Sequence, residues 1–144
     1  MKVAIVAPSP VPYVIGGAQR LWDGLYEEIN RRPQHDAELI RLPTREDSLP
    51  DLVNSYRMWS ELDLSHFDRV ISTKYPAWMV HHPEHVVYLL HTLRGLYDTY
   101  HVTGLPERVD HRSADLAALQ QYLRSRGSRA DLAGFFDLWE EIVT

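Results

Sequence analysis

The strongest constraint on this chain lies in its opening, MKVAIVAPSPVPYVIGGAQRLWDGLYEEI, Met1 to Ile29. Val3 to Ala7 is a short apolar run. A proline-rich loop follows and ends in Gly16-Gly17. Ala18, Leu21, Trp22, Leu25 and Ile29 then repeat at the spacing of one helical face. Strand, glycine turn and helix, in that order, open an α/β domain with a parallel sheet. A residue without Cβ can take positive φ and lets a ligand approach the backbone. The unpaired N–H groups of the helix start suit a phosphate or diphosphate. The same pair also serves as a plain tight turn that lets the helix pack on the strand. The dinucleotide spacing G-x-G-x-x-G is absent, and so is the Walker lysine pattern, which argues against nicotinamide and ATP at this loop.

With 144 residues the chain is long enough for one domain with a real core, and too short for two of ordinary size. Its 15 Lys and Arg against 20 Asp and Glu give a formal net charge of −5, without a strongly basic stretch. That disfavours general nucleic-acid binding. Cysteine is absent, so disulfides, thiolate chemistry and cysteine zinc sites are excluded, and a reducing compartment is allowed. The first apolar run is too short for a signal peptide, and nothing approaches a membrane span. The expected location is cytoplasmic.

Helix 1 should end near Asn30 to Pro33. Asp36 to Leu42 reads as a second strand with Ala37, Leu39 and Arg41 on alternate positions, and Pro43 to Pro50 as polar loop. Asp51 to Leu62 reads as a helix carrying Leu52, Tyr56 and Trp59 on one side, with Asp51 as its cap. Val70-Ile71 is a third strand, ended by Lys74-Tyr75-Pro76. Trp78 to His82 is a short turn or helix. His85 to Leu90 is a fourth strand, apolar throughout and therefore expected at the centre of the sheet. The order 2-1-3-4 follows for a parallel sheet over Lys2 to Leu90. Leu93 to Tyr100 is a short helix and Val102 to His111 irregular. Ser113 to Arg124 is a helix with Leu116, Leu119 and Leu123 in step, broken by Gly127. Leu132 to Val143 is a second one, whose apolar face of Leu132, Phe135, Phe136, Trp139, Ile142 and Val143 needs a partner. Left uncovered, that face predicts self-association.

Strand order 2-1-3-4 sets the loops after strands 1 and 3 side by side, in the crevice where open parallel sheets bind ligands. Gly16-Gly17 stands on one side and Ser72-Thr73-Lys74 on the other. His91 follows the run Val86-Val87-Tyr88-Leu89-Leu90, with Arg94 and Asp98 just beyond. His91 can donate to a sugar hydroxyl or phosphate, or close the strand end by a hydrogen bond to a neighbour. Lys74 can meet a phosphate or be an ordinary solvated residue. Arg94 can grip a phosphate or carboxylate bidentately, or pair with Asp98 four residues on.

Three stretches, VAIVAPSPVPYVIGGAQRL, DRVISTKYPA and VVYLLHTLRGLYDTY, resemble the N-terminal domain of retaining glycosyltransferases with the GT-B fold, the large family 4 class. The last two look like a subgroup active in bacterial cell-surface polysaccharide or glycan assembly. The resemblance covers roughly Lys2 to Tyr100. It implies an α/β fold, a Rossmann-like parallel sheet with flanking helices, forming the incomplete N-terminal half of a GT-B fold. It also implies that Gly16 and Gly17 lie at an interdomain cleft near the donor diphosphate and the acceptor. By motif, His91 matches the family histidine that contacts the transferred sugar, with Lys74 and Arg94 as further substrate-binding candidates. The implied partners are a nucleotide-sugar donor and a glycan or lipid-linked acceptor, with no cofactor and no metal. The complete enzyme would be cytoplasmic, peripheral at the inner membrane face.

The chain departs from that family in one large respect. The C-terminal domain of GT-B enzymes supplies most of the nucleotide-sugar pocket, including an E-x7-E carboxylate pair. Glu140 and Glu141 have neither that spacing nor that context. Residues 1–144 are thus expected to form a single, partial N-terminal domain that does not transfer sugar alone. His81, His82, His85 and His91 do not make a zinc site, because Pro83 interrupts any shared helical face and no H-E-x-x-H is present. G-x-S-x-G is absent, which argues against a serine hydrolase. The other function class to carry is a stand-alone flavodoxin-like binding or assembly module without catalysis.

Overall fold

The structure is a computed structural model, and it describes residues 1–10, 12–106, 108, 113–126 and 131–143. The chain divides into two compact units, Met1–Asp98 and Thr99–Thr144. The first holds a four-stranded sheet in the order β2-β1-β3-β4, with β1 Lys2–Pro10, β2 Asp36–Thr44, β3 Arg69–Ser72 and β4 His85–Val87. All three pairings are parallel, as the crossover argument requires. The unit is a small α/β domain of Rossmann-like arrangement.

β1 is the axis of the sheet. Its residues Val3, Ala4, Ile5, Val6 and Ala7 are all buried, which is what an apolar run without alternation does when both faces are covered. Val3 and Ile5 face one layer, together with Ala37 and the half-buried Leu25, Ile29, Leu39 and Ile71. Ala4 and Val6 face the other, with Trp59, Leu64, Phe67, Val70, Ala77 and Val80. Helix α1, Gly17–Asn30, covers the first face and buries Trp22 completely. Asn30 then clamps the turn into β2: its side chain donates to the Ala37 carbonyl at 3.1 Å and accepts from the Ala37 amide at 2.8 Å. β2 runs on through Pro43 to Thr44, past the expected end at Leu42. Proline is tolerated there because β2 is an edge strand whose outer N–H has no ladder partner.

Helix α2, Leu49–Ser60, starts earlier than its apolar pattern suggests. Its cap is Ser48 rather than Asp51. Ser48 has extended backbone, φ −143 and ψ 164, and its hydroxyl oxygen accepts from the Asp51 amide at 3.2 Å. Pro50 fits within the first turn, where a missing N–H leaves no intrahelical bond unmade. Inward residues are Val53, Ser55 and Trp59, with Leu52 and Tyr56 at the margin of that face. After β3, a short 3-10 turn spans Ala77–Met79, and helix α3 spans Arg94–Tyr97.

The fourth strand overturns the expectation of a central position. β4 is three residues long and lies at the edge, paired with β3 alone. One further bond, from the Tyr88 amide to the Ser72 carbonyl at 2.7 Å, carries the ladder past Val87. Val86, Val87, Tyr88 and Leu89 stay between 44% and 53% exposed. Apolar character on both faces states what a strand requires beside it, and among the described residues no fifth strand provides it.

In the second unit, a 3-10 turn over Tyr100–Thr103 ends at Gly104, whose φ of 68 lies in the left-handed region that only glycine enters without strain. Helix α4, Ala114–Arg126, packs with helix α5, Leu132–Val143. Phe135 meets both Tyr122 and Phe136, at ring separations of 6.4 and 5.4 Å. Phe136 and Trp139 of the α5 apolar face are buried, Leu132, Phe135 and Ile142 are half-buried, and Val143 is 51% exposed. Leu116 and Leu123 of α4 remain exposed despite their helical spacing. Gly127, expected to break α4, lies outside the described residues, as do residues 107 and 109–111 of the stretch expected to be irregular. No helix among the described residues is long and apolar enough to cross a membrane.

Two substitutions weigh these packing statements. Ser48→Ala should lower stability by about 1 kcal/mol through loss of the α2 cap. Trp59→Ala should cost about 3–5 kcal/mol, since a fully buried indole leaves a large void. Urea unfolding followed by circular dichroism measures both, and a Trp59→Ala loss below that of Ser48→Ala would refute the assignment of Trp59 to the core.

Candidate functional site

Four parallel strands send their C-terminal ends to one edge. The register fixes how they line up: Pro10 stands opposite Thr44, and Val6, Ser72 and Val87 form one row. The five binding candidates from the sequence each lie on a segment that follows one of these strand ends. Gly16 and Gly17 follow β1, Lys74 follows β3, and His91 and Arg94 follow β4. β1 and β3 are direct neighbours, so the glycine loop and the Lys74 loop start from adjacent strand ends.

The glycine pair starts α1 without unusual backbone. Gly16 has φ −117 and is the N-cap; its amide donates to Gln19 Oε1 at 3.0 Å, and its carbonyl accepts from the Arg20 amide at 3.2 Å. Left-handed φ is not what selects glycine here. Space differs between the two positions. A Cβ on Gly16 would meet Gln19 Oε1 at 3.2 Å, whereas one on Gly17 would meet nothing within 4 Å. The backbone at Gly17 is thus open to approach. Arg41 of β2 braces the loop before it, pairing with Asp23 of α1 and donating to the Tyr13 hydroxyl at 3.1 Å. Tyr13, Val14 and Ile15 project outward from the same loop.

Tyr75 is the centre of the other half of the edge. It is buried, and its hydroxyl donates to Glu46 Oε2 at 2.7 Å. Lys74 Nζ stands 5.4 Å from the Tyr75 ring centroid, a cation–π distance. The His91 ring meets the Tyr75 ring edge-on at 6.1 Å, and Trp78 lies at 6.1 Å on a tilt. Lys74 and His91 are thereby brought to one side chain. Glu46, Tyr56, Tyr75 and Trp78 complete the group and were not singled out from the sequence. Glu46 sits in a polar loop without a motif, and its partner is 29 positions away.

Electrostatics follow from that grouping. Burial, then the Glu46 charge, then Tyr97, push the Tyr56 phenol up to about 12. Tyr75 is also raised, first by burial, then by its hydrogen bond to Glu46 and by the carboxylate charge. Each effect favours the neutral phenol, so both hydroxyls stay protonated donors through the physiological range.

The remaining residues divide clearly. His91 Nδ1 lies 2.8 Å from the Thr92 carbonyl, which can only accept. Nδ1 therefore donates in that bond, and Nε2, which takes no part in it, would accept whenever the ring is neutral. His91 both makes the local strand-end bond and keeps one nitrogen for a donor such as a hydroxyl. Arg94 pairs with Asp98 through Nε at 3.3 Å, the four-residue ion pair foreseen as its alternative. Ser72 and Thr73 do not face outward. Both are buried; Ser72 Oγ meets His85 Nε2 at 2.8 Å, and the Thr73 hydroxyl donates to the Val6 carbonyl at 3.4 Å. Their polarity holds β3 to its neighbours. Among the described residues no group of three His, Asp or Glu side chains is placed to hold a metal ion.

No protein-family model, curated protein or solved structure matches this chain. Fold and edge geometry support a Rossmann-like α/β domain able to bind a ligand or partner at the C-terminal ends of its strands.

The tyrosine pair gives a pH test. A phenol whose folded pKa is raised contributes stability that is complete below the unfolded value of about 10 and is lost as pH rises through the folded value. Stability from Tyr56 should accordingly hold to about pH 10 and fall as pH approaches about 12. In a spectrophotometric titration at high pH, Tyr56→Phe and Tyr75→Phe should each remove one late-titrating phenol. Glu46→Gln should shift both to lower pH. Unchanged late titration in Glu46→Gln would contradict the role given to the carboxylate.

Proposed function

We propose that this chain is the N-terminal, acceptor-side domain of a GT-B glycosyltransferase of the retaining, family 4-like type. It moves a sugar from a nucleotide-sugar donor to a glycan or lipid-linked acceptor in cell-surface polysaccharide assembly. The observation that carries the reading is the grouping of Lys74 and His91 on Tyr75 and Glu46, at the strand ends beside the glycine loop. Aromatic faces with a carboxylate and an imidazole acceptor suit a hydroxylated ring. Tyr75 is buried, so in this reading the apolar side of a sugar packs on the half-buried Trp78, and its hydroxyls donate to the exposed Glu46 and to His91 Nε2.

In this reading Gly16 and Gly17 let the donor diphosphate approach the start of α1, where N–H groups converge. Lys74 neutralises phosphate charge, and Arg94 can do so only by giving up part of its pairing with Asp98. His91 positions the transferred sugar. A second domain supplies the basic groups that stabilise the leaving nucleoside diphosphate, so the chain by itself holds half a pocket and binds donor weakly. The complete enzyme works at the cytoplasmic face of the inner membrane.

A binding module without chemistry is the competing reading. It is favoured by the bond from His91 Nδ1 to Thr92, which gives the ring a local structural task. Turnover separates the two. In the complete enzyme His91→Ala should reduce transfer by about 1–3 kcal/mol of transition-state stabilisation, roughly ten- to hundred-fold. Gly17→Val should raise the donor KM by blocking backbone approach while leaving the melting temperature in place. Unaltered transfer by a well-folded His91→Ala protein would assign His91 to the strand end alone. Absence of transfer from every common nucleotide sugar would favour the binding module.

A further inference from the structure

β4 joins the sheet through β3 alone, and it is entered from the segment His81-His82-Pro83-Glu84. His82 ties that segment down at two points. Its Nε2 lies 3.0 Å from the Phe67 carbonyl oxygen, and its Nδ1 lies 3.1 Å from the Glu84 amide nitrogen. A carbonyl only accepts, and an amide N–H only donates. Nε2 therefore carries a hydrogen in this arrangement and Nδ1 does not. The two bonds together specify a neutral ring in one tautomer.

A second proton on the ring goes to Nδ1, where the Glu84 N–H already points. The charged ring can keep its bond to Phe67, but two N–H groups then face each other at Glu84, and that bond is lost. Glu84 is the residue through which the entry to β4 is fastened to β3. Its carbonyl accepts from the Val70 amide at 3.0 Å, and its carboxylate pairs with Arg69 at 3.2 Å. β4 itself is three residues long, so bonds at its entry are a large share of what holds it.

The charged and titratable groups on the segments that His82 touches do not offset the loss. They are His66, Asp68 and Arg69 around Phe67, and His81, Glu84 and His85 along its own segment. Both carboxylates are engaged elsewhere: Glu84 with Arg69, and Asp68 with the Lys2 amide at 2.6 Å. His85 Nε2 meets Ser72 Oγ at 2.8 Å, and the His66 ring stands 4.2 Å from the Phe67 ring. Protonation of His66 or His81 adds like charge near the ring.

We propose that His82 is a pH-sensitive clamp on the entry to β4, closed while its ring is neutral and opened by protonation at Nδ1. The strand it holds leads to His91. Acid therefore loosens the half of the edge built by β4 and leaves the β1–β2 pairing intact. The inference does not depend on the sugar-transfer reading, because it concerns how β4 is held and not what the edge binds.

The test follows the isotope-labelled whole chain by NMR from about pH 8 to about pH 5, the interval in which imidazoles change charge. At the upper end the His82 ring should carry its hydrogen on Nε2. On acidification the Glu84 amide signal should move with the same midpoint as the His82 ring. Exchange protection of the Val70 amide, measured against the β1–β2 amides, should fall about fivefold, the worth of one hydrogen bond. His82→Asn should keep that protection and remove its pH dependence, since an Asn side-chain oxygen accepts from the amide two residues on and does not titrate. His82→Phe should show the low protection throughout, and serves as the second variant should His82→Asn not fold. A ring protonated on Nδ1 alone at the upper end would overturn the proposal, as would Val70 protection that stays constant through the His82 titration. So would an acid loss that persists in His82→Asn, which would move the pH dependence to His85 or to the carboxylates.

Discussion

Exclusion of water from both faces of β1 is the condition on which the sheet-bearing unit depends. A strand buried on both sides must have a neighbour on each edge and a layer above and below, because its backbone groups and its side chains need separate partners. β2 and β3 supply the edges. α1 supplies one layer, and Trp59 with Leu64, Phe67 and Val80 supplies the other. The C-terminal edge is a consequence of this arrangement, because parallel pairing on both sides of β1 gathers three loops at the same end. Tyr75 and Glu46 meet although they leave strands that do not touch, with β1 lying between β2 and β3.

That dependence explains what could be read in advance. The opening strand and helix were legible because Val3 to Ala7 is an unbroken apolar run and the stripe through Leu25 and Ile29 carries a helical period. Strand order followed from chirality rules applied to short connections. The cap of α2 was not legible, since Ser48 and Asp51 are both cap-forming types and only the extended backbone of Ser48 decides between them. β4 misled for a different reason. An apolar run records the environment a strand is suited to, and Val86 and Val87 meet that environment on one edge only.

The site was legible in part for the same physical reason. Polar residues at strand ends were correctly placed at the C-terminal edge, yet polarity does not say where a side chain turns. Ser72 and Thr73 turn inward to hold β3, while Lys74, one residue later, lies over an aromatic ring. His91 serves a backbone carbonyl with one nitrogen and keeps the other for a donor. Glu46 could not be found from spacing, because its importance comes from a tyrosine on another loop. Pairings of that kind are visible only once the strands are in order.

The register of β1 also sets a schedule for synthesis. Val3 pairs with Ala37 and with Arg69, so its second neighbour lies 66 residues further along the chain. At ribosomal speeds that interval is roughly 3 to 13 s. Until that neighbour is synthesised Val3 to Ala7, the most apolar strand of the sheet, has at best one strand partner. The element that organises the finished domain is thus the one that waits longest for its surroundings.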